Sequence, residues 1–266
     1  STQAKTLFPY TTLFRSGFGN SRLCIVIPVA SDHRELEITL RWTGRAEPIT
    51  LTPHPVFKIM CGITLSVDPV QLDELVKLNT PRGARIHSVA RINQDNVLTW
   101  LTKEPGPLES VSKAYEHLGS LVITHQAAPT SEAGMLYHPA NLMGKYLWHN
   151  GVIKQSQLDH FKLTTQLWSE WDTQLLLAAI DHNDGIPPKL EGSFACLYLA
   201  HNILWAFRNE LVPLYANDRS ISSVPFEDAE ELSPGVMYRV DQIPDGIDVV
   251  AVSQFELTHN PYFQGE

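Results

Sequence analysis

The chain is poor in residues that staple, ligate or anchor a fold. Three cysteines in 266 residues are too few for a disulfide framework, and Cys61 and Cys196 point to a reducing cytosol. There is no C-x-x-C, no H-E-x-x-H and no clustered acidic set of the kind that marks a metal site, so neither metal nor cofactor is expected. No run approaches the ~20 apolar residues of a membrane span, so a cytoplasmic protein without a membrane partner is expected. Basic charge is scarce as well. Lys+Arg number 20 against 29 Asp+Glu, a net −9, which argues against a nucleic-acid-binding face. The 11 histidines are scattered and read as surface or hydrogen-bonded core residues.

The acidity is unevenly spread. Residues 1–59 hold seven Lys+Arg against four Asp+Glu, a net +3, which leaves −12 on the remainder. Within that segment, Thr6 to Ser16 read TLFPYTTLFRS, which matches the frame translation of a common sequencing-library adapter and is set aside from fold reasoning. LCIVIPVA and ELEITLRW have strand-like composition, and three prolines interrupt PITLTPHPVFKI. Two readings stay open for residues 1–59: upstream DNA translated through a start at Met60, or a propeptide cleaved before Cys61. Cys24 belongs to this segment. Either way the expected domain spans 60–266, and Cys61 to Glu266 is long enough for one domain with a sizeable core.

That domain opens on Met60-Cys61-Gly62-Ile63. Removal of Met60 would put a thiol and a primary amine on the same residue. An α-amine with a pKa of roughly 8 can then take the thiol proton, directly or through water, and activate the sulfur as a nucleophile. Taken alone, the tetrapeptide suits a buried structural cysteine at the head of the strand CGITLSV better than a nucleophile.

The following segments alternate helix and strand signals. Asp68 is a plausible N-cap with Pro69 at the first helical position, and Val70, Leu72, Leu75, Val76 and Leu78 supply apolar residues for one helical face. Pro81-Arg82-Gly83 ends that helix. IHSVARI alternates like a half-buried strand and pairs, across Asn93 to Asn96, with VLTWL. ESVSKAYEHL reads as a short helix, LVITHQAAPT as a strand running into a turn, and KYLWHNGVIK as an apolar strand. QSQLDHFKLTTQLW is amphipathic, with Leu158, Phe161, Leu163 and Leu167 near one face. Asp172 is a second candidate N-cap, ahead of TQLLLAAI. LEGSFACLYLAHNILWAFRN reads as two long strands around Ala200 to Asn202, with Cys196 in the core. GIDVVAVSQFEL is the expected last strand. Periodicity alone therefore predicts an α+β fold with mainly antiparallel strands.

Taken together, Met-Cys-Gly-Ile, Arg82-Gly83, His125 to Thr130, His138-Pro139, His149-Asn150-Gly151, Asp172-Thr173 and the series PL-Y, ISS, L-x-PG across Pro213 to Gly235 resemble the glutaminase domain of class II glutamine amidotransferases. These belong to the N-terminal-nucleophile hydrolases. The resemblance implies a four-layer αββα sandwich of two antiparallel sheets. It implies Cys61 as nucleophile, with the Asn150 side-chain amide and the Gly151 N–H forming the oxyanion hole, two fixed neutral donors for the charge that develops on the former carbonyl oxygen. On its own, an Asn-Gly pair is commonly a hairpin turn.

The resemblance also implies substrate contacts at Arg82, His125, Thr130, His138 and Asp172, the last pairing with the α-ammonium of glutamine. One departure matters. The family's G-H-x-R-x-A-T segment carries an arginine for the glutamine carboxylate, and this chain has Ala127 there. A bidentate arginine is the strongest grip on a carboxylate. Either Arg82 supplies that charge, or the chain binds glutamine weakly and prefers another amide. The implied reaction hydrolyses glutamine to glutamate and ammonia through a cysteine thioester, with the ammonia passed to an unidentified acceptor such as a separate synthetase subunit, or released by a stand-alone glutaminase. The alternatives are an amidase for a different amide and a catalytically silent regulatory module of the same fold.

Overall fold

The structure is a computed structural model that describes residues 61–111, 114, 120–127 and 138–258. The expectations for residues 1–59, the ESVSKAYEHL helix and Thr130 fall wholly or largely outside these residues.

Two antiparallel sheets carry the chain. Strand β1 (Gly62–Ser66) lies centrally in a seven-stranded sheet with β2 (Ile86–Ile92), β3 (Leu98–Pro105), β4 (Leu121–Ala127), β9 (Tyr215–Ala216), β10 (Ser220–Ser222) and β11 (Glu230–Glu231). The order across this sheet is β11-β9-β10-β1-β4-β2-β3. The second sheet runs β13-β12-β8-β7-β6-β5. It is built from β5 (Ala140–Leu142), β6 (Lys145–Ile153), β7 (Gly192–Ala200), β8 (Ile203–Arg208), β12 (Val236–Ile243) and β13 (Gly246–Gln254).

Side-chain alternation sorts these strands into layers. Ile63 and Leu65 of β1, Ile123 of β4, Trp148 of β6 and Ala195, Leu197 and Leu199 of β7 meet in one core between the sheets. The opposite face of β7 sends Phe194, Cys196 and Tyr198 onto α2 (Gln155–Thr165) and α3 (Asp172–His182). Leu72 and Val76 of α1 (Pro69–Asn79) cover Val89 and Val122 on the outer face of the other sheet. The result is helix, sheet, sheet, helix, the four-layer α+β arrangement expected above. All nine residues of β7 are buried, so FACLYLA reads as a continuous apolar run rather than an alternating one.

Asp68 caps α1 as expected, its Oδ1 accepting from the Val70 and Gln71 N–H groups at 2.8 and 3.2 Å. Three hydrophobic assignments need correction. Val70 and Leu78 of α1 are exposed, and Leu163 of α2 is 71% exposed. With 3.6 residues per turn, Leu72, Leu75 and Val76 share a face with Asn79, which is buried; Val70 and Leu78 lie off it. Leu163 is five residues, about 140°, beyond Leu158. A polar residue holding a core position of α1 is the informative exception. Asn79 Nδ2 donates to Thr64 Oγ1, Leu75 O and Ser222 Oγ. Its side chain lies so close to Gly62 that an added Cβ there would meet Asn79 Cβ at 2.7 Å. The glycine after Cys61 is thus the residue that lets α1 close on β1.

Candidate functional site

Three stretches far apart in sequence converge on Ser223, just past β10. Its Oγ accepts from the Ile63 N–H at 3.0 Å, and its own N–H donates to Ile63 O at 2.9 Å. Asn150 Nδ2 donates to the same Oγ at 3.3 Å. Arg82, in the 3-10 turn Thr80–Arg82 that follows α1, donates from Nη1 to Ser223 O at 2.9 Å. One serine therefore ties the strand that starts next to Cys61 to both the asparagine and the arginine singled out from the sequence. Cys61 itself is half-buried.

Asn150 and Gly151 are not a hairpin turn. They sit inside β6, opposite Ala195 and Phe194 of β7. Gly151 has φ +144°, and a Cβ there would overlap Ser193 O and lie 2.6 Å from Ser193 C, so only glycine fits. Phe194 spends its N–H and its carbonyl on Asn209. In an antiparallel ladder the residue opposite such a position points its own N–H away from the partner strand. Gly151 N–H accordingly leaves β6 on the edge remote from β7. The buried Asn150 carbonyl Oδ1 makes no hydrogen bond among the described residues, and neither do the Nε and Nη2 groups of Arg82.

No family model matches the chain, and no curated protein does. Among solved structures it is similar to the glutamine phosphoribosylpyrophosphate amidotransferase from B. subtilis complexed with ADP and GMP. The identity is 17%, the TM-score 0.53, and the match covers 73% of this chain and 49% of that one. It is also similar to a structure described as the allosteric regulatory enzyme of purine biosynthesis, at 18% identity and TM-score 0.50, with the same coverage. This chain has the N-terminal-nucleophile hydrolase fold. It spans about half the length of either neighbour, and at these identities the likeness concerns the fold.

Within that fold, burial lowers the Arg82 pKa, while the electrostatic pull of Cys61 and Tyr215 raises it; the guanidinium thus lies within electrostatic reach of the thiol. Asp172 is the first residue of α3 rather than its cap. Trp171 holds the cap position without a side-chain bond, and Asp172 Oδ1 accepts from the Thr173 N–H at 2.7 Å. Its other oxygen lies 4.0 Å from His149 Nδ1.

His125 and His138 are buried and stacked, with ring centroids 3.7 Å apart. Burial holds the His125 pKa down at about 3 and lowers those of His138 and His149 as well, although Asp172 pulls His149 upward. Because the folded His125 pKa lies below its ordinary 6.5, the unfolded chain takes up the proton first on acidification. Its contribution to stability is complete above about pH 6.5 and drains away towards pH 3, at about 1.4 kcal/mol per pH unit. Urea midpoints measured at pH 7 and pH 5 should fall with acidity, and the slope should shrink in His125→Gln.

Among the described residues, no cluster of three or more His, Cys, Asp or Glu side chains could hold a metal ion, and no helix is long and apolar enough to cross a membrane. A cavity of about 430 Å³, lined in part by Lys145, Asp181, Tyr198, Trp205 and Met237, shares no residue with the site around Ser223. Ser223 entered the sequence reading only as part of the ISS motif, without a role at the site. The polar run ISS, buried throughout, was its signal, for a buried hydroxyl needs a partner.

Proposed function

We propose that residues 61–258 hydrolyse the side-chain amide of glutamine as a glutamine amidotransferase-type domain. The single observation that carries this reading is the convergence of Ile63, Arg82 and Asn150 on Ser223. It sets the cysteine strand, a cation and a neutral amide donor around one spot from three separate parts of the chain.

In this reading the peptide bond between Met60 and Cys61 is broken and the new α-amine takes the proton of the thiol. The sulfur attacks the amide carbon, and the Asn150 amide and Gly151 N–H hold the oxyanion. The C–N bond then breaks, with the proton returned to the leaving nitrogen, and ammonia departs. Water adds to the thioester, the S–C bond breaks, and glutamate leaves with the thiol restored. Arg82 takes the substrate carboxylate through its unbonded nitrogens and Asp172 takes the ammonium, with Thr130 as a further pocket residue. The ammonia acceptor lies outside residues 61–258, on a synthetase subunit or segment.

Ala127 supports a second reading, an amidase for an amide without the amino-acid carboxylate. Its side chain is buried at the end of β4, where it offers no charge. Arg82→Ala decides between them. With glutamine as substrate, KM should rise about 10- to 100-fold while kcat changes little, as the loss of a charge-assisted contact implies. No glutamate release from glutamine, with turnover of uncharged amides insensitive to Arg82, supports the amidase.

The first test is to begin the chain at Met60 and to measure intact mass and glutamate release. Loss of one methionine residue with glutamate formed supports the domain; an intact Met60 or an inert product with an exposed Cys61 refutes it.

A further inference from the structure

His125 and His138, expected at the substrate, each direct one ring nitrogen at the backbone of β6. His125 Nε2 lies 3.1 Å from His149 O. A carbonyl only accepts, so His125 donates from a protonated Nε2. His138 Nδ1 accepts from the His149 N–H at 3.2 Å, so its Nδ1 carries no proton. Each ring is neutral, in the tautomer its bond requires, and burial with the 3.7 Å stack favours that state. The pair thus holds both backbone polar groups of one residue, on the edge of β6 remote from β7. β5 pairs only as far as Leu147 on that edge. By strand alternation the next N–H on the same edge is that of Gly151.

We infer that His125 and His138 are positioning residues: beyond the last β5 pair they bond β6 as a neighbour strand would, and fix the peptide plane from which Asn150 and Gly151 present their donors. This rests on the oxyanion assignment above. The ring nitrogens that face β6, His125 Nε2 and His138 Nδ1, are both spent on its backbone. The rings of Trp171 and His138 meet nearly at right angles with centroids 5.2 Å apart, which links the clamp to the residue before Asp172.

The test uses the chain with Cys61 exposed and isosteric pairs. His138→Asn keeps an acceptor near the Nδ1 position, and His138→Leu removes it. His125→Gln keeps a donor near Nε2, and His125→Met removes it. Four readouts are needed: kcat, KM, the rate of Cys61 alkylation by iodoacetamide, and amide hydrogen exchange at His149 to Gly151. In the Leu and Met variants kcat should fall about 10- to 100-fold, as expected for misplaced donors. KM and alkylation should stay near wild type, and exchange should quicken at these three amides. The Asn and Gln variants should recover most of the loss. Equal losses in both members of a pair overturn the assignment, as does a rise in KM alone or unchanged exchange. If the wild type releases no glutamate, the functional reading fails, while the exchange arm still decides the clamp. If His138→Leu does not fold, the His125 pair carries the same comparison.

Discussion

Glutamate release by the chain begun at Met60 should fall to background in Cys61→Ala, a loss of at least about a thousandfold, because no other group in the mechanism can form the thioester. The same loss should appear in an unaltered chain whose residues 1–60 remain attached, since the Cys61 amine is then an amide and has no proton affinity to offer. The two results separate two requirements, the sulfur and the exposed amine. Full activity with residues 1–60 in place would sink the N-terminal-nucleophile chemistry while leaving the fold untouched. A trapped thioester, seen as a mass increment after rapid acid quench, should be present in wild type and missing in both altered proteins.

The second large effect is expected at the oxyanion donors. Asn150→Ala should lower kcat about 100- to 1000-fold with little change in KM, as loss of one such donor does elsewhere. Because Asn150 Nδ2 also donates to Ser223 Oγ, its stability should be measured alongside, and a drop in kcat without a matching drop in urea midpoint assigns the loss to the transition state. Gly151→Ala differs in kind. With Ser193 O overlapping the new methyl position, β6 and β7 must separate locally, at a cost of at least the ~1–3 kcal/mol of ordinary overpacking. Wild-type turnover in both substitutions would remove the oxyanion assignment altogether.

Much of the architecture was legible because its signals are local. Asp68-Pro69 announces α1 within two residues, Asn93 to Asn96 announces the β2–β3 turn, and FACLYLA marks a strand buried on both faces. What failed was phase rather than composition. Val70, Leu78 and Leu163 are apolar residues in the right helices but off the packed stripe, whereas Asn79 is a polar residue on it. β9, β10 and β11, two or three residues each, are too short to show any period. At the site, motif register picked out His125 and His138 but carried no information on depth or on ring-nitrogen partners. Ser223 acts on Ile63 across a separation of 160 residues, and no sequence window spans that.

Strand β1 lies between β4 and β10, so one of its two neighbours comes from the far end of the domain. A ribosome-bound chain that has emerged only through β8 has made its cysteine, its asparagine and its glycine, yet it lacks the strand and the serine that bring them into one place. In the proposed mechanism the thiol therefore meets its oxyanion donors only after β10 and Ser223 have been made. A chain cut before Ser223 should on that reading release no glutamate, an outcome the same assay measures.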